Sequence, residues 1–256
     1  NPCSEYIFLN NTACNLASLN LMKFHLPGGE FDCARFSAAV RLTIIAQDIL
    51  IDHSSYPSPD IAKNSHLFRT LGLGYANLGA LVMSNGFAYD SDEARNFAAS
   101  VTSLMTGVAY ATSAYLAARV GPFAGYDDSS CAHVPSDKVV VSSNCKSMLG
   151  VIDLHSSHSH NYVRSNYIKD HASMAWGRAT EIGKQYGFRN AQVSVLAPTG
   201  TIAFMMDCDT TGIEPDLGLV KYKSLAGRGT LKLVNQTVPS ALRSLGYSPN
   251  AIAAIV

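Results

Sequence analysis

Two kinds of apolar spacing take turns along this chain, and that alternation limits it to few folds. Asn15-Leu16-Ala17-Ser18-Leu19-Asn20-Leu21 alternates small or polar residues with apolar ones, as a strand does. Leu71-Gly72-Leu73-Gly74-Tyr75-Ala76-Asn77 is a short apolar run whose glycines let something approach the backbone. Residues 191–197 make a third strand-like stretch. Between them, residues 34–51 place Phe36, Val40, Ile44, Ile45 and Ile49 at helical spacing. Ser91 is placed to cap a long helix, with Asp92 and Glu93 in its first turn and Gly121-Pro122 at its end. Another helix is expected from about 161 to 186, with Gly187 ending it, and a last one near 239–247. Strands alternating with helices imply an α/β fold with a parallel sheet or barrel. With no internal repeat and no low-complexity linker, residues 1–256 read as a single domain.

Charge is sparse. Only 15% of residues are charged and 47% are hydrophobic, which suggests an interior portion of a larger globule with apolar surface meant for neighbours. Lys plus Arg and Asp plus Glu both total 19, so no basic field advertises nucleic acid. The uncharged stretch 98–118 has the length of a membrane span. Its Ser100, Thr102, Ser103, Thr106, Gly107 and Tyr110 make it a buried helix instead, so no membrane is expected. Six cysteines, at 3, 14, 33, 131, 145 and 208, form no CxxC pair and no zinc-ligand spacing. That usage fits a reducing cytoplasm with one or two working thiols, and no metal ligand set is expected. Residue 1 is not Met and already lies in the most reactive-looking motif, so the chain reads as an internal piece of a longer protein.

Asn1-Pro2-Cys3-Ser4-Glu5 puts an amide, a thiol and a carboxylate two residues apart, so in an extended segment all three point the same way. Pro2 biases Asn1 towards that extension. A second thiol, Cys14, follows eleven residues after the first. Hydrolytic cysteine chemistry needs a nearby His base. The histidines here are scattered or gathered in a Ser-rich stretch (His155, His158, His160), read as a solvated loop. Redox or radical chemistry suits the thiols better, though free cysteines are also commonly small buried hydrophobes. Pro198-Thr199-Gly200-Thr201-Ile202 leaves a strand and enters a helix. Small residues there can turn backbone N–H groups and two threonine hydroxyls towards a phosphate, and the same pattern also makes an ordinary turn. Trp176, Met205 and Met206 are read as core; Cys33, Cys131, Cys145 and Cys208 as structural.

Five segments together resemble the catalytic subunit of ribonucleotide reductases, nearest to the class II, adenosylcobalamin-dependent enzymes. They are residues 1–5, Thr12 to Leu21, Leu71 to Asn77, Leu196 to Ile202 and Asp207-Cys208-Asp209-Thr210-Thr211-Gly212-Ile213-Glu214-Pro215, in order over nearly the whole chain. The resemblance implies a ten-stranded α/β barrel of two halves, with this chain holding the second half and a central finger loop at residues 1–5. It implies that Cys3 carries a thiyl radical, Glu5 acts as general base, Asn1 holds the sugar hydroxyls and Cys14 is one of two reducing thiols. Pro198, Thr199, Gly200, Thr201 and Ile202 would bind the substrate phosphates. The implied substrate is a ribonucleoside diphosphate, the cofactor adenosylcobalamin, the reductant a thioredoxin-like dithiol, and the full-length protein a homodimer. Alternatives are a class I large subunit and a half-barrel that binds nucleotide without catalysis. The chain departs from the family pattern at 127–143, which look like extra sequence, and at Asn144-Cys145-Lys146-Ser147-Met148-Leu149, where an acidic run is expected.

Overall fold

The structure, a computed structural model, describes residues 3–126, 144–162, 166–224, 227 and 229–256. Strands are β1 (Asn15–Asn20), β2 (Leu71–Ala76), β3 (Val220–Ser224) and β4 (Thr230–Val234). Helices are α1 (Cys33–His53), α2 (Pro59–Phe68), α3 (Leu78–Ser84), α4 (Asp92–Val120), α5 (Asn144–Tyr162), α6 (Asn166–Tyr186), α7 (Gly200–Met205), α8 (Val238–Ser244) and α9 (Pro249–Ile255). β1 pairs with β2 in one sheet and β3 with β4 in another. Among the described residues these strands close no barrel, so the α/β character expected from the sequence holds while the closed cylinder is not drawn. Contacts group the chain into two compact units: 1–17, 33–74 and 99–196, and 18–32, 75–98 and 197–256.

In the first unit, α1 buries Phe36, Val40 and Ile44, and α4 buries Val101, Leu104 and Met105. Ser91 does cap α4, accepting from the Ala94 amide at 3.2 Å. Every residue of β2 is buried, as expected of an interior strand. The 191–197 stretch, expected as a strand, makes one parallel bridge, Leu73↔Ser194. The Leu71 and Leu73 amides donate to Gln192 and Val193 carbonyls at 2.8 and 3.0 Å, and the Val195 amide to Leu73 at 3.0 Å. The extended backbone is therefore present, with too short a ladder to make a full strand. Trp176, Tyr110, Phe188, Tyr126 and Phe123 form a continuous aromatic core, as expected for Trp176.

The same unit holds an ionic knot in which Arg69 and Asp48 are buried and Asp52 is half exposed. Arg69, the left-handed C-cap of α2 (φ 49°), donates from Nε to Asp48 at 3.0 Å and from Nη1 to Asp52 at 2.7 Å, both on α1. Asn190 Nδ2 reaches Asp48 at 2.8 Å, and the Asn190 amide donates to Ser113 Oγ at 2.9 Å on α4. One knot thus ties α1, α2, α4 and the residues before 191.

The histidine-bearing stretch is helix α5 rather than the expected solvated loop. Ile152 is fully buried, and the His155 ring stacks on Trp176 with centroids 6.1 Å apart and planes 14° apart. Packing of that face overrides the weak helix propensity of its Ser and His residues. The next helix begins at 166 rather than 161. The extra segment 127–143 lies outside the described residues, as do Cys131 and the side chains of Cys145 and His160. Among the described residues, no helix is long and apolar enough to cross a membrane.

In the second unit, Leu21, Phe24, Phe31, Leu81, Ala241 and Ile252 are buried. The β3–β4 hairpin, not foreseen from sequence, runs antiparallel from Val220↔Val234 to Ser224↔Thr230. Asp216 anchors it: Lys221 Nζ donates to Oδ1 at 2.8 Å, and Asn235 Nδ2 to Oδ2. Burial would raise the Asp216 carboxyl, but these bonds and one from the Gly218 amide hold it below its ordinary value. Met205, expected in the core, is 81% exposed, because the short α7 turns only Ala203 inward.

Candidate active site

Cys3 sits exposed in a turn, and Ser4 adopts a left-handed φ of 59°. The segment is therefore bent where extension was expected. The bend brings Glu5 back so that its Oε2 accepts from the Cys3 amide at 3.0 Å. Thiol and carboxylate are held together by a backbone bond rather than by strand alternation. Asn1 lies outside the described residues.

The chain between the two thiols is pinned by hydroxyls. The Tyr6 hydroxyl lies 2.9 Å from both Thr12 Oγ1 and Thr70 Oγ1. Thr70 Oγ1 donates to the Ala13 carbonyl at 2.7 Å, and the Ala13 amide donates to Ser65 Oγ at 3.1 Å. These bonds deliver Cys14 onto β2. A Cβ at Gly72 would stand 2.6 Å from Cys14 Sγ, 2.7 Å from Leu16 Cδ2 and 2.9 Å from Val195 Cγ2. The glycine thus leaves the space in which the sulfur rests, which is the close approach its sequence suggested. Tyr6, Thr70 and Ser65 carried no sequence signal of this role. Burial, and then the Glu5 charge, push the Cys14 thiol up to about 12, so it is a protonated S–H donor at neutral pH.

Glu5 opens onto a cavity of about 730 Å³ whose walls include Phe8, Tyr110, His155, Trp176 and Gln192. Hydroxyls line it in chains: Trp176 Nε1 donates to Ser103 Oγ at 3.0 Å, Ser103 to Ser159 at 2.8 Å, and Thr106 pairs with Ser194 at 3.2 Å. Among the described residues no Lys or Arg lines it. Burial, with the His158 charge second, lowers His155, so that ring is neutral at pH 7. The walls suit a neutral, ring-bearing, hydroxyl-rich ligand portion of small-ligand size. Among the described residues no group of three or more His, Cys, Asp or Glu is set to hold a metal ion.

The Pro198–Ile202 turn belongs to the second unit and is described there by itself. Thr199 is the N-cap of α7 in a left-handed conformation (φ 56°), buried, with its hydroxyl donating to the Ala197 carbonyl at 2.8 Å. That hydroxyl is committed inside the turn, whereas Gly200, Thr201 and Ile202 are exposed. Their amides fall in the first turn of α7, where no intrahelical acceptor exists. Gly212 (φ 47°) closes the turn from behind: a Cβ there would meet the Pro198 and Ala197 carbonyls at 2.8 and 2.9 Å. Asn77 fastens the following loop, exchanging backbone and side-chain bonds with Thr210 (Asn77 N to Thr210 O, 3.2 Å; Thr210 N to Asn77 Oδ1, 3.1 Å). Cys208 nearby is half-buried; burial and the flanking Asp207 and Asp209 push its thiol to about 11.

Compared with known proteins, residues 1–256 match the family model described as ribonucleotide reductase, barrel domain. The chain is 54% identical over 254 residues to a vitamin B12-dependent ribonucleotide reductase of Rhodopirellula baltica, covering 98% of this chain and 23% of that protein. It is 50% identical to the enzyme of that name from Streptomyces coelicolor (100% and 26%) and 46% identical to that of Agrobacterium fabrum (100% and 20%). The chain thus spans about a quarter or less of the length of these relatives.

Proposed function

This chain belongs to the ribonucleotide reductase family, and from that footing we propose that it serves thiyl-radical reduction of ribonucleoside diphosphates to deoxyribonucleotides. Residues 1–256 are then one domain, the second half of the ten-stranded α/β catalytic barrel, with residues 1–5 as the central finger loop. The observation that carries the reading is the Cys3–Glu5 pair, held in one turn by a backbone bond, with Glu5 lining a nucleoside-sized cavity.

In the proposed reaction, a Cys3 thiyl removes the hydrogen at C3′ of the ribose. Glu5 takes the proton of the 3′ hydroxyl, as a general base within hydrogen-bond reach. The 2′ hydroxyl leaves as water, carrying a proton from a thiol. Cys14 and a second thiol deliver two electrons and close into a disulfide, and Cys3 returns its hydrogen to C3′. The raised Cys14 thiol supports its part, since an S–H group can give both a proton and a hydrogen atom. Asn1 holds the sugar hydroxyls. Pro198, Thr199, Gly200, Thr201 and Ile202 take the phosphates through the free first-turn amides and the exposed Thr201 hydroxyl, with Thr199 shaping the turn.

The cofactor proposed is adenosylcobalamin, because the relatives are vitamin B12-dependent enzymes by name. When bound, it supplies the oxidising equivalent that turns a thiol into a thiyl. The described residues suit its nucleoside end through the cavity beside Glu5 and provide no cobalt ligand set. A thioredoxin-like dithiol reopens the disulfide, and the full-length protein is a cytoplasmic homodimer acting on neither nucleic acid nor membrane.

In the full-length protein, Cys3→Ala should abolish deoxyribonucleotide formation while substrate binding stays within a few-fold. Glu5→Gln should lower kcat by roughly 10²–10⁴. Turnover by the Cys3→Ala enzyme would overturn the radical assignment, and undiminished turnover without adenosylcobalamin would overturn the cofactor.

A further inference from the structure

Away from the thiols, helices α1, α4 and α6 of the first unit enclose a second cavity of about 510 Å³. Each helix contributes one arginine to its wall: Arg41 from α1, Arg119 from α4 and Arg178 from α6. Among the described residues no Asp or Glu lines the cavity. Arg41, Arg119 and Arg178, like Arg243, have no carboxylate partner among the described residues, whereas Arg69, Arg95 and Arg189 do. His171 also lines the wall, with its Nδ1 3.1 Å from the Tyr167 carbonyl.

In a chain of zero net charge, three uncompensated guanidinium groups around one hollow are a concentrated positive field. Their charge exceeds what one carboxylate balances and suits a phosphate, which carries up to two negative charges at neutral pH. Guanidinium forks also match phosphate oxygens in pairs. The hollow is far larger than a bare phosphate. Beyond Ser37, Thr112 and His171 its remaining wall is apolar, with Tyr115 and Met174 about half exposed (52% and 51%) and Ile45 at 38%.

We propose that this cavity binds a phosphate monoester, its phosphate held by Arg41, Arg119 and Arg178 and its organic body laid against Tyr115 and Met174. The site shares no residue with the cavity beside Glu5, so it stands independently of the reductase reading.

The test uses the full-length protein and phenyl phosphate as the probe, with inorganic phosphate for comparison. Phenylglyoxal modification followed by peptide mass mapping reads each arginine without any substitution. Phenyl phosphate should protect all three arginines, at about tenfold lower concentration than inorganic phosphate because the ring adds buried area. Arg178→Gln should weaken phenyl phosphate binding about tenfold while reductase turnover is unchanged. Equal modification with and without saturating phenyl phosphate would overturn the site. So would arginines already unreactive in the ligand-free full-length protein, which would mean that the face is covered. Equal protection by both probes would overturn the organic half of the proposal.

Discussion

Single atoms decide whether Cys14 can work. The sulfur occupies the space that any Cβ at position 72 would fill, 2.6 Å from it. Gly72→Ala should therefore cost about 1–3 kcal/mol through overpacking, seen as a lower denaturation midpoint, and should speed alkylation of a displaced Cys14. The thiol itself titrates near 12 rather than 9.0. Its folded value is raised, so the stability it confers is full below pH 9 and is lost as pH climbs from about 9 towards 12. Alkylation of Cys14 should accordingly keep accelerating across that window where an ordinary thiol levels off, as mass mapping would show. The glycine's role was legible, because an isolated Gly in an apolar run signals close approach. The bend at Ser4 was not: a serine with positive φ carries no local sequence signature, and the Cys3–Glu5 bond that accompanies it shows only in three dimensions.

Between elements, the knot at Arg69 joins α1, α2 and the residues before 191. Removing a partner from a buried ion pair strands the other charge, so Arg69→Ala should cost about 3–5 kcal/mol in denaturant unfolding. Arg69 immediately precedes Thr70, whose hydroxyl holds the Ala13 carbonyl, so the same change should loosen Cys14. Hydrogen bonding from Arg69 holds the Asp52 carboxyl below its ordinary value. Its contribution is then present above about pH 4 and lost as pH falls below that, and Asp52→Asn should flatten this acid limb of the stability curve. Long elements with regular spacing were readable: α1 to within two residues (34–51 expected), and α4 with both its ends, since a Ser cap and a Gly-Pro break are local chemistry. Helix α5 was hidden because Ser and His residues at weak propensity gain their helix from Ile152 and Trp176, which sequence spacing does not reveal.

At the scale of the whole molecule, large side chains remain in solvent: Ile7 at 82%, Leu217 at 87%, Met205 at 81% and Leu42 at 70% exposure. With zero net charge and an isoelectric point near 7.2, nothing repels one copy from another. The isolated 256-residue chain should therefore self-associate most at about pH 7 and disperse as pH moves away, measurable by light scattering. The alternation of strands and helices announced an α/β molecule. The pairing of β1 with β2, 50 residues further on, was out of reach, because such partners are chosen by long-range packing. The same distance matters for anyone wishing to borrow the Thr199 turn. Its shape is moulded by Gly212, outside the motif itself, whose missing side chain leaves room for the Ala197 and Pro198 carbonyls. Five residues transplanted alone onto another strand–helix junction would carry the letters of the motif and lose its mould.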